Sequence, residues 1–476
     1  MRSLVQASLL TLALSQGSSA APLPKPANAN ELKMRIYQQI RNSSAFQTGQ
    51  VGVYVQVLKT GRVVYSENAL KPMIPASNLK VVTTAAAIDL LGPDFRYVTE
   101  LRGGASDGHG VLHGNLYLKG QGDPTLCLPY VNPTSPWRFF AKNLKDKGIT
   151  SIDGDLVGDD SAFDREYIGQ GWFDRYLLDS YAAPVGALSL NCNVVELTIT
   201  SDAVKTEPSS PGFQYQRLYK AGSYDECWIT RDRNSDVTVV RGSVAPGSVI
   251  KRTVTVGNPG TFTLGSFMNI LKASDINVSG KTRLINLGNE VAKSASSPLI
   301  ARYQSPRLKD IIAQVNKESD NVFAQHVFKT IGYKSRGQGT AANGEAAVRD
   351  FLRKHNVDDS GLVMVDGSGL STTDRITPRQ LVGVVEIMWR HKHGQSYVDS
   401  LPTGGEGTLT SRLGGLTLRA KTGTLDEHSA LTGYLVSAYG QTLGFSILVN
   451  NVPQTWSGVE IEDKILHTLA AWDQPL

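Results

Sequence analysis

The pattern of residues changes abruptly twice along this 476-residue chain, and these changes limit the folds that it can adopt. From about residue 102 to about residue 295, glycines multiply, strand-like segments shorten and turns such as Ser106-Asp107-Gly108 recur. Longer helical patterns flank this stretch, from Asn78 to Leu91 before it and from Leu308 onward after it. We therefore predict an α+β fold, with a domain of helices on an antiparallel sheet into which a β-rich unit is inserted.

The same changes of pattern give the predicted domain boundaries. Residues 30–101 and 300–476 are assigned to the main domain, and residues 102–192 and 246–299 to the β-rich insertion. A polar stretch lies in the middle of the insertion, so residues 193–245 are assigned to a smaller nested insertion. At roughly 100–200 residues per domain, a chain of this length is expected to contain two to four domains.

The N-terminus has the pattern of a secretory signal peptide. Arg2 supplies a positive charge, the segment from Leu4 to Leu14 is mostly apolar, and Ser18-Ser19-Ala20 offers small residues for cleavage. Residues 1–20 are therefore predicted to direct export, which places the protein in the periplasm or outside the cell. No later stretch approaches the roughly 18 apolar residues of a spanning helix, so no membrane span is expected.

Composition excludes some classes of partner. The net charge of +5 is small for this length and the basic residues are scattered. A nucleic-acid groove would need a basic stripe with aromatic side chains, so no nucleic acid is expected to bind. The three cysteines form no Cys-x-x-Cys pattern, and neither a metal nor an organic cofactor is expected. We predict a disulfide between Cys192 and Cys227 that leaves Cys127 free, with three free thiols as the alternative.

The sequence Ser77-Asn78-Leu79-Lys80 opens the first helical pattern. Residues three apart share a helix face, so the Lys80 amine can reach the Ser77 hydroxyl. A serine hydroxyl is a weak nucleophile that needs a neighbouring base, and a lysine can serve when burial or nearby cations lower its pKa. The segment from Ser248 to Lys251 has the same spacing, but it runs into a strand pattern on which the two side chains would face opposite sides. A helix cap beside a solvated lysine is the alternative for either copy.

Two further short patterns follow. Ser319-Asp320-Asn321 lies between two helical patterns, where a hydroxyl and an amide can both point into a cleft, or where the segment simply caps a helix. Lys421-Thr422-Gly423-Thr424 follows a strand-like segment, and its glycine would leave the strand edge open to a substrate whose carboxylate Lys421 could bind. The same letters at Lys59-Thr60-Gly61 lie between two alternating segments, where a hairpin turn is predicted.

Ser-x-x-Lys, Ser-x-Asn and Lys-Thr-Gly in this order resemble the signature of penicillin-recognising serine enzymes. Ser319 follows Ser77 by 242 residues and Lys421 follows Ser319 by 102 residues. A first gap of this length is similar to that of the class C low-molecular-mass penicillin-binding proteins, peptidase family S13, which carry a large insertion there. Other segments that look like this family are Gly122-Asp123-Pro124-Thr125-Leu126, Tyr181-Ala182-Ala183-Pro184, Asp366-Gly367-Ser368-Gly369-Leu370 and Gly407-Thr408-Leu409.

The resemblance implies a β-lactamase/transpeptidase-like main domain and a D-Ala-D-Ala carboxypeptidase/endopeptidase that acts on peptidoglycan stem peptides. β-Lactam antibiotics would then be inhibitors. Ser77 would be the nucleophile and Lys80 the base, while Ser319 and Asn321 would pass protons and orient the substrate. The carboxylate would be held by Lys421 and Thr422 beside Gly423. The oxyanion hole would consist of the backbone N–H groups of Ser77 and Thr424.

The chain also departs from the family pattern. The acidic residue that contacts the peptide stem in many members is shifted here to Asp174, with Asp179 as a second candidate. Many members have a basic residue where this chain has Thr372, with Arg375 three residues further on. A β-lactamase-type hydrolase and a non-catalytic peptidoglycan-binding protein are the alternative functions. The sequence predicts no particular oligomeric state.

Overall fold

A computed structural model describes residues 25–476 of the protein. The predicted signal peptide, residues 1–20, lies outside the described residues. Among residues 25–476, no helix combines the length and the apolar character that crossing a membrane requires.

The described residues contain twelve α-helices. They are α1 (Ala29–Arg41), α2 (Ser44–Thr48), α3 (Leu79–Leu91), α4 (Ser135–Asp146), α5 (Pro259–Ala273), α6 (Asn289–Ser296), α7 (Leu308–Lys317), α8 (Asn321–Arg336), α9 (Ala341–Lys354), α10 (Pro378–Arg390), α11 (Gly394–Ser400) and α12 (Trp456–Ala470).

The same residues contain nineteen strands in five sheets. They are β1 (Gln50–Val57), β2 (Val63–Glu67), β3 (Val98–Arg102), β4 (Val111–His113), β5 (Leu116–Lys119), β6 (Ser151–Asp153), β7 (Leu156–Asp159), β8 (Val194–Ile199), β9 (Val204–Glu207), β10 (Gln214–Ala221), β11 (Glu226–Thr230), β12 (Val237–Val244), β13 (Ile250–Thr255), β14 (Asn277–Val278), β15 (Thr282–Ile285), β16 (Leu299–Gln304), β17 (Leu418–Leu425), β18 (His428–Val436) and β19 (Thr442–Asn450).

One antiparallel sheet combines strands from both ends of the chain, in the order β17-β18-β19-β1-β2. Its central strands are buried almost throughout because helices cover both faces. On one face α1 and α12 pack through Ile36 and Ile461, and on the other Leu448 belongs to the core that includes α3, α7, α8 and α10. The α+β prediction is confirmed. Strand β17 lies at the edge of this sheet, so one of its sides is open to a neighbouring element.

The other four sheets all lie between residues 98 and 304. Strands β3 and β16 pair antiparallel, with Val98 opposite Gln304. This pairing brings together the two points at which the chain enters and leaves the inserted region. This region has its own buried core, in which the rings of Trp137, Phe140 and Phe267 contact one another.

Side chains from residues 98–304 also fasten this region to helix α8 and to a loop that follows α9. Lys329 on α8 is buried and donates to Asp164 Oδ1 at 2.6 Å and to the Glu166 carbonyl at 2.8 Å. The indole of Trp172 donates to Asp366 Oδ2 at 2.6 Å. These buried polar contacts fix how the inserted strands meet the helices beside them.

The predicted cysteine pairing is wrong. The structure joins Cys127 to Cys192, with their Cα atoms 5.7 Å apart, and leaves Cys227 free. Cys192 lies in a tight turn directly before β8. Cys227 lies within β11, opposite Gly242 of β12, in a sheet that does not include β8. Cys227 is half-buried against the inserted core, and this burial raises the pKa of its thiol.

The oxidised protein is therefore expected to carry one free thiol, on Cys227. Alkylation of the denatured, unreduced protein followed by peptide mapping should modify Cys227 and recover Cys127 joined to Cys192. Modification of Cys127 but not of Cys227 would show that Cys192 pairs with Cys227, as the sequence predicted. Three modified thiols would show that no disulfide forms.

Candidate active site

Ser77 and Lys80 lie at the start of α3. A 3-10 turn, Ala76–Asn78, leads into the helix, and Ala76 adopts a left-handed backbone conformation with φ of 47°. The turn continues into α3, so positions three apart remain on one face. Lys80 Nζ lies 2.8 Å from Ser77 Oγ, as the spacing predicts.

Lys80 is fully buried, with 0% of its surface exposed, yet none of its hydrogen-bond partners in the described chain is a carboxylate. Its ammonium also donates to Asn321 Oδ1 at 2.6 Å and to the Ser368 carbonyl at 2.7 Å. Burial lowers the pKa of Lys80 to about 7, although the more distant carboxylates of Asp366 and Asp320 act in the opposite direction. At neutral pH a large fraction of Lys80 is therefore unprotonated and can accept a proton.

The second pattern lies at the junction of α7 and α8. Asp320, not Ser319, caps α8, because its carboxylate accepts from the Phe323 N–H at 3.0 Å. Ser319 precedes the cap with φ of 58°, and Asn321 is the first residue of α8. The cap occupies the residue between them and leaves both side chains free to point into the cleft. Asn321 also donates to the Tyr181 carbonyl at 3.0 Å.

The third pattern lies on the edge strand β17. Lys421 is fully buried, and its Nζ donates to Ser319 Oγ and to the Thr422 carbonyl, both at 2.9 Å. Burial lowers the pKa of Lys421 well below its ordinary value, and the positive charge of Lys80 lowers it further. Two buried lysines therefore share this cleft without a carboxylate between them within residues 25–476. An incoming carboxylate would favour the charged form of Lys421.

Gly423 allows β17 to approach the start of α3. A Cβ at this position would lie 2.8 Å from the Pro75 carbonyl and 2.9 Å from Asn78 Nδ2. The same approach lets Asn78 donate to the Lys421 carbonyl at 3.0 Å. Thr422 Oγ1 donates to Thr408 Oγ1 at 2.7 Å, while Thr424 is exposed at the end of the strand.

The second copies of the patterns lie elsewhere. Lys59 is exposed in the predicted turn between β1 and β2, where Gly61 has φ of 73°. Lys251 lies on β13 and pairs with Glu196 at 2.7 Å on the surface, so it does not contact Ser248.

Asp174 lies at the rim of this region. Its carboxylate is 74% exposed and pairs with Arg233 at 2.6 Å. The neighbouring Trp172 is buried in a small cluster with Leu370 and Leu425, the last residue of β17. Segment 172–181 therefore borders the cleft, although Asp174 itself is turned toward Arg233.

Sequence reasoning missed the groups that hold Lys80 in place. Asp366 accepts from the backbone N–H groups of Ser368 at 2.7 Å and Gly369 at 2.6 Å, besides the Trp172 indole. These bonds fold the loop so that the Ser368 carbonyl faces Lys80. The segment Asp366–Leu370 stood out in the sequence, but a backbone carbonyl as a partner has no residue signature.

Among residues 25–476 there is no cluster of three or more His, Cys, Asp or Glu side chains placed to hold a metal ion. The polar groups around Ser77 are instead hydroxyl, amide and amine groups. This set suits proton transfer and anion binding.

Comparison with known proteins identifies the family of this chain. The sequence model of the D-Ala-D-Ala carboxypeptidase 3 (S13) family matches residues 32–472. The chain belongs to this family. A D-alanyl-D-alanine carboxypeptidase of Actinomadura sp. is 30% identical, over 98% of this chain and 90% of the relative. The D-alanyl-D-alanine carboxypeptidase DacB of Haemophilus influenzae is 26% identical, over 84% of this chain and 85% of the relative.

A solved structure of penicillin binding protein 4 (dacB) from Haemophilus influenzae has the same fold. It superposes with a TM-score of 0.78 at 23% identity and covers 92% of this chain and 99% of the other. The β-lactamase/transpeptidase-like assignment of the fold is confirmed on this basis.

Proposed function

We propose that this S13 enzyme is a serine D-Ala-D-Ala carboxypeptidase/endopeptidase that trims or un-crosslinks peptidoglycan stem peptides and is acylated by β-lactams. One observation carries the proposal. Lys80 Nζ lies 2.8 Å from Ser77 Oγ, and a second buried lysine, Lys421, opens onto the same cleft with no carboxylate partner in the described chain. The first pair supplies an activated nucleophile, and the second lysine supplies a site for the substrate's terminal carboxylate.

In the acylation step, Lys80 takes the proton of the Ser77 hydroxyl as Oγ bonds to the carbonyl carbon of the penultimate D-Ala. The family resemblance assigns the backbone N–H groups of Ser77 and Thr424 to the resulting oxyanion, and one such donor is worth about 100-fold or more in rate. Ser319, which accepts a hydrogen bond from Lys421 Nζ at 2.9 Å, gives its hydroxyl proton to the departing amine. In this proposal Ser319 then recovers the proton that Lys80 took from Ser77, so Lys80 is neutral again before deacylation. The peptide C–N bond then breaks and D-Ala, or a cross-linked stem, leaves.

In the deacylation step, water attacks the Ser77 ester with Lys80 as base, and the Ser77 hydroxyl is regenerated. Asn321 Oδ1 accepts a hydrogen bond from Lys80 Nζ at 2.6 Å, and in this proposal the Asn321 side chain also orients the bound peptide. Asp174 lies at the rim of the cleft, where it contacts the peptide stem in this proposal. None of these steps uses a metal or an organic cofactor.

The proposal extends to location and organisation. Residues 1–20 would export the protein to the cell envelope, where peptidoglycan lies. We retain the division into a main domain of residues 30–101 and 300–476 and an insertion of residues 102–299 with a nested unit at 193–245. The separate hydrophobic core of the inserted strands supports the separation of residues 102–299 from the main domain.

Lys421→Ala is expected to lower kcat/KM for a peptide ending in D-Ala-D-Ala by about 10- to 150-fold, the worth of a hydrogen bond to a charged group. Lys59→Ala is the matched control, because it has the same neighbours in sequence but lies in an exposed turn. Its turnover should be unchanged and its stability within about half a kcal/mol of wild type. Equal losses in the two variants would show that the third motif is misplaced.

The proposed activity itself is tested by incubation of the purified protein with isolated muropeptides. Release of D-Ala from pentapeptides, or conversion of cross-linked dimers to monomers, is expected from the wild type and not from Ser77→Ala. If the muropeptides stay intact while penicillin is hydrolysed rapidly, the protein is a β-lactamase. If neither substrate changes and no acyl-enzyme forms, it is a binding protein.

A further inference from the structure

Glu406 lies outside the three motifs but contacts residues beside two of them. Its Oε1 accepts from Lys317 Nζ at 2.7 Å, and its Oε2 lies 3.4 Å from Arg419 Nη1. Lys317 ends α7, two residues before Ser319. Arg419 lies on β17, two residues before Lys421. The carboxylate therefore links the segment that carries the second motif to the strand that carries the third.

The loop around Glu406 is held tightly against both elements. Gly407 is so close to the end of α7 that a Cβ there would lie 2.4 Å from the Lys317 carbonyl oxygen. The next residue, Thr408, accepts a hydrogen bond from Thr422 of the third motif at 2.7 Å. The backbone N–H of Glu406 donates to the Thr403 carbonyl at 3.0 Å, and the Glu406 carboxylate accepts from the Thr403 N–H at 3.3 Å.

The charges explain why a carboxylate is needed here. Lys317 and Arg419 are both cations, and each lies two residues from a residue of the cleft. The hydrogen bond from Lys317 holds the pKa of Glu406 below its ordinary value, so this group is charged at neutral pH. With a neutral side chain in its place, the two cations would lose their shared partner, and their repulsion, weakened by solvent, would favour a slightly larger distance between the end of α7 and β17.

We propose that Glu406 is a positioning residue for the reaction, which holds Ser319 and Lys421 at their 2.9 Å separation. It acts through these two residues and itself lies outside the cleft. The inference rests on the proposed function of the site. It adds to that function an ion-pair link that sets the distance between the group passing the proton and the group binding the carboxylate.

The test compares Glu406→Gln with Glu345→Gln. The control removes a carboxylate that pairs with Arg349 at 2.7 Å on α9 and is also partly exposed. Glu406→Gln should lower the second-order rate of acylation by a fluorescent penicillin by about 10- to 100-fold, the scale of a small misplacement of reacting groups. The control should acylate normally, and both variants should melt within about 3 °C of wild type.

A double-mutant cycle separates positioning from general destabilisation. If Glu406 acts through Ser319, Glu406→Gln should cost less than about 3-fold once Ser319→Ala is present. If Glu406→Gln lowers the acylation rate by the same factor with and without Ser319→Ala, the inference is overturned. Normal acylation of the Glu406→Gln variant would also overturn it. Lys317→Gln removes the cation that pairs with Glu406 and should lower the acylation rate by a similar factor. This second variant keeps the test decisive if Glu406→Gln does not fold. A wild-type protein that is never acylated would contradict the proposed function, and the inference with it.

Discussion

Replacement of Ser77 by alanine is expected to abolish covalent labelling by a fluorescent penicillin. A β-lactam forms a stable ester only with a hydroxyl that has a base beside it and an oxyanion site in reach. Ser77 meets the first condition through Lys80 at 2.8 Å, and the family resemblance assigns the backbone N–H groups of Ser77 and Thr424 to the second. Gel fluorescence of the folded variant, confirmed by its circular dichroism, measures the loss.

Ser319 is the informative control, because it also lies next to a lysine amine, Lys421, at 2.9 Å. Ser319→Ala should still be labelled, although more slowly, since the proposed mechanism has Ser319 transfer a proton and form no ester. Mass spectrometry should place the adduct of the wild type on Ser77. An adduct on Ser319 or Ser248 would overturn the assignment of the nucleophile.

Lys80→Ala is expected to lower the acylation rate by about 100-fold or more, the usual cost of losing a general base. The variant should fold, because the change removes a buried amine that has no carboxylate partner in the described chain. Lys80→Arg is a stringent companion variant, since a guanidinium keeps the charge but does not release its proton at physiological pH. Stopped-flow acylation measures both, and near-normal rates in either variant would show that Lys80 is not the base.

The pH profile provides an independent check on Lys80. Its pKa of about 7 lies below the ordinary value because burial disfavours the charged form. Below this pH the amine is protonated and cannot accept the Ser77 proton, so acylation should fall as pH decreases. Above it the amine is neutral, so the rate should rise through about pH 7 and then level off. A rate that is constant from pH 5 to pH 8 would contradict this role.

Local spacing was enough to predict which elements would carry the chemistry. Residues three apart share a helix face, so Ser77 and Lys80 had to meet if their segment formed a helix, and the structure has one there. Alternating apolar residues on either side of Lys59-Thr60-Gly61 likewise predicted the β1–β2 hairpin. These predictions depend on one short segment each, and backbone geometry within a segment follows from its own residues.

Contacts between distant segments could not be predicted in the same way. Cys192 pairs with Cys127 and not with Cys227, because tertiary packing brings the loop after β5 against the turn before β8. The Asn191 N–H donates to the Leu126 carbonyl at 2.8 Å between these two segments. The carbonyls of Ser368 and Tyr181 hold Lys80 and Asn321, yet every residue has a carbonyl and nothing in the sequence marks these two. The pKa of Lys80 follows from burial by elements up to 288 residues away in the chain. The sequence by itself identified the candidate reactive residues and the local geometry of Ser77 and Lys80. The tertiary structure decided their partners and protonation, because these depend on which distant surfaces exclude water together.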